Sequence, residues 1–173
     1  MLSIESCLIP DGALLNNYLR EGTYTDCYVT DIRGSVSHTQ YVTAFYTTRV
    51  FRLERLILKM AVSRPSTDAQ AEQLAAGSID AFAAWHVEAR SENQLLMSDF
   101  HRRTRSWLMV VPIASASGTR TRLYFGSAVV PVENSKTGMF TLGFGFRVLL
   151  RFHRLYSEVL LYAAKSRLEA QRS

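Results

Sequence analysis

The sequence predicts an α+β domain in which a curved antiparallel sheet packs against one long C-terminal helix. Several segments between residues 80 and 133 alternate apolar and polar side chains with period two, and turn-forming residues divide them. The links between these segments are short, which favours antiparallel neighbours. A long amphipathic segment, residues 146–169, follows and carries the apolar stripe that can cover one face of such a sheet.

The composition is that of a single globular domain. The chain has 173 residues, of which 47% are apolar and 20% charged, so one hydrophobic core is enough. We expect residues 24–170 to form the core and residues 1–23 to add a short helical segment. The first residues lack the basic start and apolar run of a secretory signal, and the most hydrophobic helix carries arginines at close intervals. These features predict a cytoplasmic protein without a transmembrane segment.

The first half of the chain predicts one strand followed by two helices. Residues 24–32 alternate in the manner of a strand. Both helices begin with a Ser/Thr-x-x-Gln capping box, in which each side chain bonds the backbone N–H of the other residue. The boxes are Ser37 with Gln40 for a helix over residues 39–61, and Thr67 with Gln70 for a helix over residues 69–76.

The second half predicts a meander of four strands and then the last helix, so that the chain has a strand-helix-helix-meander-helix order. The four strands are residues 79–90, 94–100, 105–114 and 120–132. With the first strand they make five. Residues 139–145 alternate large apolar with small residues and contain two glycines, which makes this segment a candidate lid.

This order of elements resembles the helix-grip arrangement of the START-like superfamily, which includes polyketide cyclases and lipid-transfer domains. In that superfamily a curved sheet wraps the last helix, and a cavity between them usually accepts a hydrophobic small molecule. Five strands are fewer than the superfamily usually has, so either residues 3–9 and part of 140–144 add short strands or the sheet of this chain is smaller.

Five short runs carry a closer similarity. They are residues 51–58, 82–85, 94–99, 105–108 and 123–128. They look like a bacterial family of unknown function whose members occur alone or joined to a nucleotide-binding reductase-like domain. The similarity covers about residues 24–165, and it assigns no chemical role to any residue.

A wall of aromatic side chains is the candidate ligand-binding site. It comprises Tyr28, Trp85, Trp107 and Tyr124 on neighbouring strands, with Phe144, Phe152 and Tyr156 at the last helix. Flat apolar side chains with a few polar atoms suit a hydrophobic small molecule, provided that the strand register places them on one face. The same residues would also serve as ordinary core.

Asp99 and His101 are the candidates for acid–base chemistry, because they share one strand face near the rim of the sheet. A solvated edge, with Asp99 paired to an arginine of the basic run 101–105, explains the same residues and is the simpler interpretation. No metal-ligand spacing, phosphate-binding loop or nucleophile motif appears, and we expect no cofactor. Cys7 and Cys27 are interpreted as small buried hydrophobes.

The favoured function is the binding of a hydrophobic small molecule in a cavity between the sheet and the last helix. One alternative is a cyclase or isomerase that uses the same cavity, with Asp99, His101 or Tyr124 for proton transfer. Another is an arginine-rich interaction module for an acidic partner or an anionic surface, since the net charge is +5. The arginines are spread along the chain, so no specific nucleic acid partner is expected. Exposed sheet edges also allow a homodimer.

Overall fold

The computed structural model of the protein describes residues 4–20, 22–53, 66–114, 118–130, 132–133, 140–141 and 144–171. Between residues 132 and 154 the description concerns the backbone alone. Three residues of the predicted lid segment, 139 and 142–143, lie outside the described residues, as do the predicted helical residues 54–61.

Seven antiparallel strands of the described chain form one curved sheet. Their bounds are β1 Glu5–Ser6, β2 Tyr24–Arg33, β3 Ala81–Phe82, β4 Trp85–Ser91, β5 Gln94–Asp99, β6 Thr104–Ile113 and β7 Arg120–Val129. Their spatial order is β1-β2-β7-β6-β5-β4-β3. A separate pair joins β8, Val132–Glu133, to β9, Phe140–Thr141. The predicted antiparallel sheet and C-terminal helix are therefore confirmed, and the two additional strands of the main sheet are β1 and β3.

Three helices are described over their whole length: α1 His38–Tyr46, α2 Asp68–Ala75 and α3 Phe144–Ala170. Both predicted capping boxes are present. The Ser37 hydroxyl accepts a hydrogen bond from the Gln40 backbone N–H, and the Thr67 hydroxyl accepts one from that of Gln70. A short 3-10 helix, Leu14–Tyr18, supplies the expected N-terminal helical segment.

The prediction of one continuous strand over residues 79–90 is wrong. The chain instead forms a tight hairpin, in which β3 pairs with β4 and Phe82 lies opposite Trp85. The turn is made by Ala83, whose φ of 53° lies in the left-handed region, and Ala84. Alanine rarely adopts that conformation, so the local sequence carries no turn signal.

The prediction of one helix from residue 39 onward is also wrong, because the helix stops at Tyr46 and helical structure resumes at residues 49–53. Thr48 explains the interruption. Its hydroxyl accepts a hydrogen bond from the Phe51 backbone N–H, 3.1 Å away, and so starts a new helical segment in the manner of an N-cap. Thr47 bonds back to the Thr43 carbonyl with its own hydroxyl, at 2.6 Å.

The second half of α3 packs on the same face of the sheet as α1, against β2 and β7. Leu160, Leu161, Ala164 and Leu168 are buried there. Val159 is 39% exposed and lies with Leu155 and Tyr162 on an outward apolar stripe of this helix.

Each face of the sheet has its own apolar core. The inner core joins the helices to inward side chains such as Leu108, Leu123 and Phe125. The outer core lies on the opposite face, where the N-terminal segment packs through Leu15 onto Trp107. The Gln94 side chain fixes this segment: its oxygen accepts from the Leu14 backbone N–H at 2.8 Å and from the Trp107 indole at 2.9 Å. Residues 7–20 therefore form a second layer on this outer face of the sheet.

Candidate functional site

An open cavity of about 420 Å³ lies on the inner side of the sheet. Its walls come from α1 and residues 50–53 on one side, from β4, β6 and β7 below, and from α3 on the other. The volume is within the range of small-molecule sites, which is about 300–1,000 Å³.

Apolar side chains form most of the cavity wall, and they are Phe45, Val50, Phe51, Leu53, Trp85, Phe125, Tyr156 and Leu160. The rings of Phe45 and Phe125 lie 5.0 Å apart, centroid to centroid, which joins α1 to β7. The interruption at Thr48 turns the chain so that Phe45 and Phe51 both reach the cavity from different helical segments. Leu53 is 59% exposed beside it, and its side chain is therefore accessible from solvent.

Hydroxyl groups supply the polar part of the wall, from Thr104, Ser106, Ser127 and Ser157. The Ser127 hydroxyl donates to the Asp26 carboxylate, with an oxygen–oxygen distance of 2.5 Å, so its proton already has an acceptor. The Ser157 hydroxyl oxygen is buried without a hydrogen-bond partner in the described part of the chain. The arrangement can hold an apolar body and offers few charged groups.

Arg105 lines the cavity but its guanidinium group is bound on the opposite face of the sheet. Its Nε donates to the Tyr18 hydroxyl at 2.7 Å and forms an ion pair with Glu88 at 2.5 Å. Tyr18 also donates to Glu88, and burial is the main reason why the pKa of Tyr18 is raised. Arg105 is therefore part of the contact between the N-terminal segment and the sheet.

The strand register divides the predicted ligand-binding residues between the two faces. Trp85 and Tyr156 lie in the cavity wall. Tyr28 is buried in the inner core and does not line the cavity. Trp107 and Tyr124 lie on the outer face, with ring centroids 6.1 Å apart. Phe144 and Phe152 are within α3, where only the backbone is described.

The two candidate catalytic residues do not meet in the cavity. The Asp99 carboxylate accepts the backbone N–H groups of Arg103 at 2.6 Å and Thr104 at 2.8 Å, so it closes the turn between β5 and β6. His101 is exposed and stacks on Phe100, at 3.8 Å between ring centroids. Because neither side chain lines the cavity, this geometry gives no support to proton transfer by this pair on a bound ligand.

The sequence predicted only Trp85 and Tyr156 of the cavity wall, and the residues that it missed include Phe45, Phe51, Phe125 and the hydroxyl residues. Phe125 and Ser127 alternate with Tyr124 and Gly126 along β7. Since successive side chains of a strand point to opposite faces, the alternation alone would have placed Phe125 and Ser127 on the face away from Tyr124. Phe45 and Phe51 gave no such signal, because they belong to one face only after the helix is interrupted.

The two cysteines are free thiols in contact with each other, Cys7 directly after β1 and Cys27 within β2. Their sulfur atoms lie 3.3 Å apart, with Cys27 buried and Cys7 partly buried. Burial raises the pKa of both thiols, so both are held in the neutral form.

The fold and the cavity define an α+β domain with an apolar opening of small-molecule size. No protein-family model matches the chain, and no curated protein does either. Within the described ranges, no three His, Cys, Asp or Glu side chains come together in a way that could hold a metal ion. In that same part, every helix is too short or too polar to cross a membrane.

Proposed function

We propose that this protein binds a hydrophobic small molecule in the cavity between the sheet, α1 and α3. The observation that carries the proposal is an open cavity of about 420 Å³ whose wall is mostly aromatic and aliphatic. Binding apolar surface in such a place is favoured by about 25 cal/mol for each Å² removed from water. The ligand displaces solvent from Val50, Leu53 and Trp85, while a hydroxyl of the wall orients any polar group it carries.

The START-like, helix-grip assignment belongs to the same proposal. It is supported by the order of the main strands. After β2 the chain forms α1 and α2 and then a meander from β3 to β7, and the last strand of the meander, β7, pairs with β2. It is also supported by the packing of the C-terminal half of α3 on the helix-bearing face of that sheet. On this assignment the cavity corresponds to the ligand cavity of the superfamily.

The test is titration of the protein with N-phenyl-1-naphthylamine, an apolar dye whose fluorescence rises when it leaves water. We expect saturable binding with one site per chain. The variant Val50→Trp places an indole in the cavity wall, and it should weaken dye binding about tenfold or more because overfilled apolar sites reject further volume.

Leu19→Trp is the matched control, since it adds an indole at a position that is 57% exposed in the N-terminal segment, outside the cavity. It should leave the dye titration unchanged. Equal dye binding by the wild type and Val50→Trp, or no saturable binding by the wild type, would remove the proposal.

A further inference from the structure

A second, smaller cavity lies at the edge of the sheet, away from the apolar one. Its volume is about 140 Å³, which is enough room for several water molecules. Three cations line it, Arg120, Arg122 and Lys165, together with the carboxylates of Glu5 and Asp31. It is therefore polar and of the size of a single oxyanion group.

Lys165 brings a buried positive charge into this cavity. Its side chain belongs to a residue that is only 7% exposed. The ammonium donates to the Thr30 hydroxyl at 3.2 Å and to the Asp31 backbone carbonyl at 2.7 Å, and both acceptors are uncharged. Among the described residues no carboxylate forms an ion pair with it. A buried ammonium that forms no ion pair is costly, and a bound anion would reduce that cost.

Arg120 adds a donor that has no acceptor. Its Nε is buried without a hydrogen-bond partner in the described chain, and no carboxylate there forms an ion pair with it. Buried polar groups of native proteins are rarely left unpaired, and each exception calls for an explanation such as an ion. The guanidinium geometry suits an oxyanion with two parallel acceptors.

The carboxylates of the cavity do not neutralise these two cations. Asp31 is engaged by Arg122 through two hydrogen bonds, of 2.8 and 3.0 Å. The Arg122 hydrogen bonds, followed by the charges of Arg122, Arg120 and Lys165, lower the pKa of Asp31, so the carboxylate is charged and already paired. Glu5 is exposed. Arg120 and Lys165 therefore leave an excess of positive charge inside a small polar cavity.

We propose that the cavity lined by Arg120, Arg122 and Lys165 binds a phosphate-type oxyanion, as a free anion or as the head group of a phospholipid. The anion accepts hydrogen bonds from Arg120 and from the remaining N–H of Lys165. This site is separate from the apolar cavity and does not depend on the function proposed for it.

Calorimetric titration with inorganic phosphate, against sodium chloride at matched ionic strength, tests the proposal. Flotation with vesicles of phosphatidylcholine containing phosphatidate tests the lipid source. We expect the wild type to bind one or both, and Arg120→Gln and Lys165→Met each to weaken binding about tenfold or more, the loss expected for charge-assisted hydrogen bonds. Arg49→Gln removes the same charge at an exposed position of another helical segment and should bind as the wild type does.

The outcomes separate cleanly. Binding of free phosphate without vesicle retention assigns the free anion, while retention that inorganic phosphate displaces assigns the head group. If neither probe binds the wild type, or if Arg49→Gln loses as much affinity as the cavity variants, the proposal is overturned. Circular dichroism establishes whether each variant is folded. If Lys165→Met does not fold, Arg120→Gln still tests the proposal, because Arg120 is partly exposed.

Discussion

Two serines in the wall of the apolar cavity have opposite hydrogen-bonding states. The Ser127 hydroxyl donates to Asp26, whereas the Ser157 hydroxyl is fully buried and has no partner in the described chain. A buried hydroxyl without a partner costs about 1–3 kcal/mol, whereas a hydrogen bond to a charged group stabilises by about 1.5–3 kcal/mol. The same chemical change should therefore have opposite effects at the two positions.

We expect Ser157→Ala to raise the free energy of unfolding by about 1 kcal/mol, with about 0.5 kcal/mol more from the helix propensity of alanine. Ser127→Ala should lower it by about 1–3 kcal/mol, because Asp26 loses a charge-assisted hydrogen bond. Urea denaturation of both variants measures these changes. A destabilising Ser157→Ala would show that the hydroxyl has a partner, such as a water molecule in the cavity.

His38, the first residue of α1, provides a pH-dependent contribution to stability. Its Nε2 is buried without a partner in the described chain, and burial, with a smaller effect from Arg90, lowers the pKa of His38 from 6.5 to about 4. Between these values the unfolded chain binds a proton that the folded chain does not, so the stability from this group is present above pH 6.5 and is lost as the pH falls towards 4.

The test compares the wild type with His38→Gln, because carboxylates titrate in both. The difference in unfolding free energy should grow in favour of the wild type as the pH rises from 4 to 6.5, and stay constant above pH 7. A difference that does not change across this range would mean that His38 titrates normally in the folded protein.

At the scale of elements, local sequence signals predicted where helices begin but not where a strand or a helix is interrupted. Ser37 and Thr67 cap α1 and α2 as predicted, since a capping box is a contact among four consecutive residues. The hairpin turn at Ala83 and the interruption at Thr48 use residues common in strands and helices. Tertiary packing decides both, and a single sequence does not reveal it.

The docking of the N-terminal segment depends on the missing side chain of Gly126. A Cβ atom there would lie 2.7 Å from the Leu15 Cδ2 and 3.0 Å from both the Asp26 backbone oxygen and the Trp107 ring. We expect Gly126→Ala to lower the free energy of unfolding by about 1–3 kcal/mol through overpacking.

A double-mutant cycle with Leu15→Ala locates the cause. Leu15→Ala alone should cost about 2–5 kcal/mol, because the side chain is fully buried. In the double variant the alanine methyl enters the space that Leu15 leaves, so the combined loss should be smaller than the sum of the two. Additive losses would show that the clash is with the backbone and the indole and not with the N-terminal segment.

At the scale of the whole molecule, the sequence predicted the class of fold and the existence of a helix-covered sheet, but not which aromatic residues share a face. A register error of one residue moves a side chain to the opposite face. Trp107 lies opposite Gly126, and Tyr124 lies opposite Met109, which places both on the outer face with the N-terminal segment. The irregularity between Val87 and Ala89 shifts the register of β4 by one residue, and so changes which side chains of that strand share a face. The cavity could therefore be predicted as a location and not as a set of residues.

The molecule also carries its own pair of optical reporters. Its two tryptophans lie on opposite sides of one sheet: Trp85 in the wall of the apolar cavity, and Trp107 fully buried beneath residues 7–20. Indole emission depends on local polarity, so Trp107→Phe leaves a chain whose spectrum responds to occupancy of the cavity. Trp85→Phe leaves one that responds to detachment of the N-terminal layer, and events on the two surfaces can thus be followed separately without any attached label.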